Sequence, residues 1–204
     1  MAPARVPRCA IFRPIVIGND ADLLGGRKDP ASDHTHEWTV SVRGVNDADI
    51  SHFVKKVNFK LHDSYANSTR SIEAPPFQVT ETGWGEFDVQ VKIFFVQEAA
   101  EKPVTVYHRL KLHPYGPDAE KVKAEGGHVS SYQYDEVVFN EPTEAMYEIL
   151  TTNGEAQLPV ERSAGKVYCQ RSEQEELERL ETAIAKIDEQ TRRYKEKIMA
   201  MEKR

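Results

Sequence analysis

Cysteine is almost missing from this 204-residue chain, and the two present, Cys9 and Cys169, lie far apart. Neither a disulfide framework nor a metal knuckle follows from them, since both need paired ligands at short spacing. Structural zinc is not expected, and a reducing compartment is. Long apolar runs are missing too. No stretch approaches the roughly 18 uninterrupted apolar residues of a membrane span, 29% of residues are charged, and mean hydropathy is -0.61. Near the amino terminus, Pro3, Pro7 and Pro14 with Arg5, Arg8 and Arg13 break up any signal-peptide core. A cytosolic or nuclear protein without a membrane span is expected. The chain also lacks a basic surplus. Residues 1–114 carry 14 basic and 14 acidic side chains, residues 115–171 carry 5 and 10, and residues 172–204 carry 8 and 9, for a net charge of -6. Counterion release cannot drive tight, sequence-independent nucleic-acid binding from such a surface. Basic protein tails remain suitable partners.

What is present is periodicity. The length suffices for one sizeable core plus an appendage. From about residue 36 to 112, apolar side chains alternate with polar ones: Trp38, Val40 and Val42; Val57, Phe59 and Leu61; Phe87, Val89, Val91, Ile93 and Phe95; Val104, Val106, Leu110 and Leu112. A period of two marks half-buried strands. Turn chemistry at Gly44-Val45-Asn46-Asp47, Asn67-Ser68, Pro75-Pro76 and Pro103 gives the spacing of an antiparallel β-sandwich. With Ile11 to Ile17 included, seven or eight strands fit.

The acid-rich stretch 115–171 shows no sustained strand pattern and reads as a linker with one short helix, Pro142 to Leu150. Asn140 caps its start in this reading, Pro142 fits its first turn, and Asn153-Gly154 stops it. Met146, Ile149 and Leu150 are its docking residues. From Ser172 to the end at residue 204 the period becomes helical. Leu177, Leu180, Ile184, Ile187, Thr191, Tyr194, Ile198 and Met201 fall alternately three and four residues apart, a heptad seam opened by a Ser172/Glu175 capping box. The spacing predicts a coiled-coil helix of about 32 residues and about 48 Å. Self-pairing and pairing with another chain both fit the seam.

Two short segments concentrate binding chemistry: Leu61-His62-Asp63-Ser64-Tyr65 and Glu81-Thr82-Gly83-Trp84-Gly85-Glu86-Phe87. Aromatic faces stack on a flat group, a serine hydroxyl donates to a carbonyl, and glycine lets backbone N–H groups approach a ligand. Together they form a slot for a flat, neutral group such as an acylated lysine amide. A tryptophan alone is more often core, but Gly83 and Gly85 on either side of Trp84 favour a loop that presents the indole. Phe87 reads equally as core and as pocket floor. His34 and His36 are two apart without a cysteine or carboxylate at ligand spacing, which makes them structural rather than metal-binding. His62, Asp63 and Ser64 lack a nucleophile elbow or an oxyanion motif, so no enzyme is expected.

His34-Thr35-His36-Glu37-Trp38, Phe53-Val54-Lys55-Lys56-Val57, Leu61 to Tyr65, Pro75-Pro76-Phe77, Glu81 to Phe87 and Tyr107-His108-Arg109-Leu110-Lys111-Leu112 follow, in order, the pattern of the YEATS family of chromatin readers. The resemblance covers about residues 8–114 and implies an immunoglobulin-like β-sandwich. Tyr134 to Pro142 and the terminal heptads look like the fungal YEATS subunit shared by NuA-type histone acetyltransferase and Swr-type remodelling complexes. The resemblance implies a nuclear, cofactor-free reader of acylated histone lysine, acting in transcription regulation and DNA repair. It also implies partner subunits held through the coiled coil. The competing role is a scaffold or histone-chaperone-like subunit. By resemblance, Tyr65 and Trp84 sandwich the acyl amide and His62 orients Ser64, which hydrogen-bonds it. The backbone N–H of Trp84 takes the acyl carbonyl, Gly83, Gly85 and Phe87 shape the open end, and His34 contributes from the first loop. Arg109 stands where some members carry an acid that grips a tail arginine.

Overall fold

The computed structural model describes residues 3–117, 119–124, 126–153, 161–162 and 169–202. The chain divides into two compact units, Met1–Ala156 and Gln157–Arg204. In the first unit the period-two segments form strands β1 (Ala10–Leu23), β2 (His36–Gly44), β3 (Val54–Lys60), β4 (Thr69–Ile72), β5 (Phe77–Gly83), β6 (Asp88–Phe95), β7 (Val104–Arg109) and β8 (Val129–Asn140). They build two four-stranded sheets, ordered β5-β2-β1-β8 and β4-β3-β6-β7, with every pairing antiparallel. The result is an immunoglobulin-like sandwich.

Alternation sends Ile15, Ile17, Trp38, Val40 and Val42 of one sheet against Val57, Phe59, Val89, Val91 and Ile93 of the other, and all ten are buried. Each such side chain contributes about 1.5–3 kcal/mol by leaving water. One polar residue interrupts this interior. Asn19 of β1, fully buried, accepts hydrogen bonds from His108 Nε2 (2.8 Å) and the Lys111 N–H (3.0 Å), and donates to the Lys111 carbonyl (2.8 Å). It therefore ties the first sheet to the segment that follows β7.

The expectation of a strand-free linker over 115–171 is corrected by β8, which pairs with β1 from Ala10↔Asn140 to Ala21↔Val129. β8 is an edge strand whose inward face is apolar only at its ends, with Val129, Val137 and Phe139 buried and Gln133 and Asp135 exposed between them. Its middle need not fill a core, so it shows no alternation. A short helix α1 (Ala119–Ala124) precedes it.

The expected helix over 142–150 is α2 (Glu144–Thr152), and its cap is Thr143 rather than Asn140, which ends β8. Thr143 has extended backbone, and its hydroxyl accepts from the Met146 N–H at 3.1 Å. Met146 and Leu150 are buried and Ile149 partly buried against the sandwich core. Asn153 closes the helix; Gly154 lies outside the described residues.

In the second unit, α3 (Gln170–Glu202) runs 33 residues, about 50 Å at 1.5 Å per residue. It begins before Ser172, so the Ser172/Glu175 capping box is corrected: the Cys169 carbonyl accepts the Glu173 N–H (3.1 Å), and the Ser172 hydroxyl meets Cys169 Sγ (3.1 Å). All eight seam residues are exposed, from Leu177 at 49% to Met201 at 66%.

Burial gives the sandwich a pH dependence. His36, His52 and His108 all have lowered pKa values, in each case first because burial disfavours the imidazolium; His113 adds to this for His36, Arg13 for His52 and Lys111 for His108. The unfolded chain then binds protons that the folded chain refuses. Stability from these residues is complete above the ordinary histidine value of 6.5 and declines as pH falls below it toward the lowered folded values. The melting temperature is expected to fall steadily between about pH 7 and pH 5. A flat or rising melting temperature over that interval contradicts the assignment.

Candidate functional site

β3 ends at Lys60, so His62, Ser64 and Tyr65 belong to the turn beyond it and not to a strand face. The Leu61 N–H donates to the Ser68 carbonyl (2.7 Å), and the Tyr65 N–H to the His62 carbonyl (3.1 Å), which closes the turn. Within it, His62 Nδ1 accepts from the Ser64 backbone N–H (3.2 Å) and lies 2.9 Å from Ser64 Oγ. A nitrogen that accepts from a backbone N–H carries no proton of its own, so the Ser64 hydroxyl must donate to it as well. That donation leaves the lone pairs of Ser64 Oγ to accept a hydrogen bond from a ligand.

Facing this turn is the β5–β6 loop. Gly83, the last residue of β5, pairs with His36, and its carbonyl accepts from the Thr35 N–H (3.0 Å). The chain then leaves the sheet, and the Trp84 indole is 62% exposed. No hydrogen bond among the described residues takes up the Trp84 N–H. Gly85 has open space where a side chain would stand.

Tyr65 is held from three directions. Its ring meets Trp38 edge-on (centroids 5.8 Å) and Phe87 at a tilt (5.7 Å), and its hydroxyl donates to the Thr82 carbonyl (3.0 Å). Burial pushes its phenol pKa up. Phe87 also packs on Trp38 (5.9 Å) and His62 (6.0 Å), so it serves the core and the cleft floor at once. His34 reaches in from the first loop, its Nδ1 2.7 Å from Thr82 Oγ1.

The structure brings all eight sequence-chosen residues, His34, His62, Ser64, Tyr65, Gly83, Trp84, Gly85 and Phe87, to one cleft of about 540 Å³. Asp33, Ala66 and Glu86 line it too and escaped the sequence reading. Glu86 is legible only in three dimensions, because its partners lie more than 20 residues away. Its carboxylate accepts from the N–H groups of Leu112 (2.8 Å) and His113 (3.2 Å) and from the Tyr115 hydroxyl (2.7 Å). Burial raises its pKa, but those donors and Lys111 outweigh it and hold the carboxyl below its usual range. Trp38 and Thr82 were missed as well; they stand behind Tyr65 and His34 and carry no group that signals a ligand.

His36, the first residue of β2, is buried, with Nδ1 2.8 Å from Thr35 Oγ1 and its ring 5.0 Å from that of His113. Arg109 pairs with Asp88 at 3.4 Å, both exposed. The cleft thus offers aromatic faces, the Ser64 hydroxyl oxygen, one backbone donor and the carboxylates of Asp33 and Glu86. No lysine or arginine lines it, and Glu86 already accepts from three donors. The rings, the Ser64 oxygen and the Trp84 backbone N–H suit a planar, uncharged amide; of the two carboxylates on the lining, Glu86 is taken up by its donors and Asp33 is exposed.

A model described as the YEATS family matches residues 33–114. The "Protein AF-9 homolog" of Schizosaccharomyces pombe is 50% identical over 99% of this chain and 96% of its own length. Among solved structures, the Yaf9 YEATS domain bound to H3K27ac aligns with a TM-score of 0.64 at 51% identity, covering 74% of this chain and 99% of its own. The Yaf9 YEATS domain recognising an H3K122suc peptide aligns with a TM-score of 0.63 at the same identity and coverage.

Proposed function

This chain belongs to the YEATS family, and on that footing we propose that its cleft reads acylated lysine on histone tails as a non-catalytic module. The observation that carries the reading is the convergence of Ser64, Tyr65 and Trp84 with Gly83 and Gly85 on one cleft that no lysine or arginine lines. The solved Yaf9 domains that hold H3K27ac and H3K122suc support it.

In this reading the acyl-lysine amide lies between the Tyr65 and Trp84 rings. Its N–H donates to Ser64 Oγ, and its carbonyl accepts from the Trp84 N–H. His62 is a positioning residue that holds the Ser64 proton away from the ligand. Acylation removes the lysine charge, so the amide enters between two rings where an ammonium would give up its hydration. Two stacking contacts and two hydrogen bonds, each about 0.5–1.5 kcal/mol, amount to a few kcal/mol. A lone tail should therefore bind in the micromolar to millimolar range, on the order of -4 to -8 kcal/mol once flanking contacts join. Useful occupancy then comes from avidity. The exposed seam of α3 supplies it by pairing with a subunit of a nuclear chromatin complex, of the histone acetyltransferase or histone-variant-exchange kind.

Ser64→Ala tests the polar half of this arrangement. It is expected to weaken binding of an H3K27ac peptide by about two- to tenfold while leaving the melting temperature unchanged. The unmodified peptide should bind at least about tenfold more weakly than the acetylated one to the wild-type chain. Prolonged incubation should leave the acetylated peptide's mass unchanged. Wild-type affinity in the folded Ser64→Ala chain would remove the hydroxyl from the site.

A further inference from the structure

The outer face of the first sheet, opposite the core, holds a second concavity of about 570 Å³ that the reader cleft does not use. Its floor is the outward side of β2 and β5, with Thr39, Ser41 and Gln78. One end is the loop after β2, with Asp47 and Asp49, and Pro75 and Pro76 form another wall. The remaining wall is Tyr132 of β8. Gly18 of β1, opposite Tyr132 in the register, has no room for a side chain, because an added Cβ would collide with the Tyr132 ring and with the Ser131 carbonyl. The glycine thus lets the tyrosine pack against the sheet, where the Arg43 guanidinium stacks over its ring at 4.4 Å and pairs with Asp47 at 2.9 Å.

Carboxylates dominate the charge of this face. Asp20 accepts from the hydroxyls of Tyr132 and Ser130, and Asp49 from the N–H and hydroxyl of Ser51, both at 2.8 Å. Asp22 is 2.7 Å from His128 Nδ1. Among the described residues, no lysine or arginine pairs with Asp20, Asp22 or Asp49, whereas Arg43 is occupied by Asp47 and Arg27 by Glu37. Hydroxyl and N–H donors fix Asp20 and Asp49 in place without neutralising them, so a cation meets preorganised acceptors. Arg43 stacked on Tyr132 already displays the contact the groove makes with a guanidinium.

We propose that this groove docks an extended, arginine- and lysine-bearing protein segment, independently of lysine acylation. Charge complementarity selects the occupant. Fixed carboxylates attract a basic peptide and repel the phosphates of nucleic acid, and the proline wall offers surface to aliphatic stems. β5 runs from the groove at Phe77 to the reader cleft at Gly83, so the two sites stand about 20 Å apart along one strand.

The test is an NMR titration of the full chain with an unmodified peptide of alternating arginine and glycine, at low and at high salt. Amide shifts are expected at Ser41, Gln78 and Tyr132, weakened at high salt. Gln78→Lys, at an exposed position, and Asp20→Asn with Asp49→Asn, which remove the charge and keep one of the two accepting oxygens at each position, should each weaken binding at least about fivefold. Trp84→Ala should leave it unchanged, which separates this groove from the reader cleft. Shifts confined to the cleft, no shifts, or equal binding by the folded Gln78→Lys chain would overturn the proposal.

Discussion

Gly83→Ala is expected to abolish measurable capture of an acetylated histone peptide and to destabilise the sandwich. The added methyl would fall well inside van der Waals contact of the Tyr65 hydroxyl and 3.4 Å from Trp38 Nε1. Tyr65 cannot step aside cheaply, because its ring is packed on Trp38 and Phe87 and its hydroxyl is spent on Thr82. Moving it costs the hydrogen bond and overpacks the core beneath, together about 2–4 kcal/mol. It also displaces a stacking wall of the cleft, so affinity should fall more than about tenfold. Adding Tyr65→Phe removes the colliding oxygen and should recover part of the stability without restoring full binding. Normal affinity in the single variant would show that Tyr65 is not a wall of the site.

Asn19→Ala is expected to cost about 3–6 kcal/mol, a large part of the roughly 5–15 kcal/mol that holds a domain together. It leaves the His108 Nε2–H without its partner in the buried interior, and the N–H and carbonyl of half-buried Lys111 without theirs. Urea unfolding measures the loss directly. A decrease below about 1 kcal/mol would mean that water or a shifted backbone replaces the amide. Because the segment after β7 also anchors Glu86 through Leu112 and His113, damage at Asn19 should reach the cleft as a weaker KD, even though the two lie on different elements.

The strands were legible where one face had to be apolar. β2, β3 and β6 sit centrally in their sheets, and their alternation announces them. β8 stayed hidden because an edge strand with a polar middle obeys no such pattern, and Val104, counted with the inner face, is exposed at the start of edge strand β7. Loop chemistry was legible for a different reason: glycine beside tryptophan, and serine two residues after histidine, limit what a turn can do. Asn19, His108 and Glu86 were not, since each acts through a partner at least 26 residues distant. The terminal helix was readable from its period, with only the start of α3 displaced by the Cys169 cap.

The most direct measurement is a calorimetric titration of the full chain with matched H3 peptides, unmodified and as H3K27ac, repeated with Trp84→Ala. Trp84 is 62% exposed, so the variant should melt with the wild type, and any loss of binding belongs to the cleft. Binding of the acetylated peptide alone, lost in Trp84→Ala, is the predicted result. Equal binding of both peptides, or undiminished binding by the variant, would contradict the reader assignment and leave a scaffold or histone-chaperone-like subunit in its place.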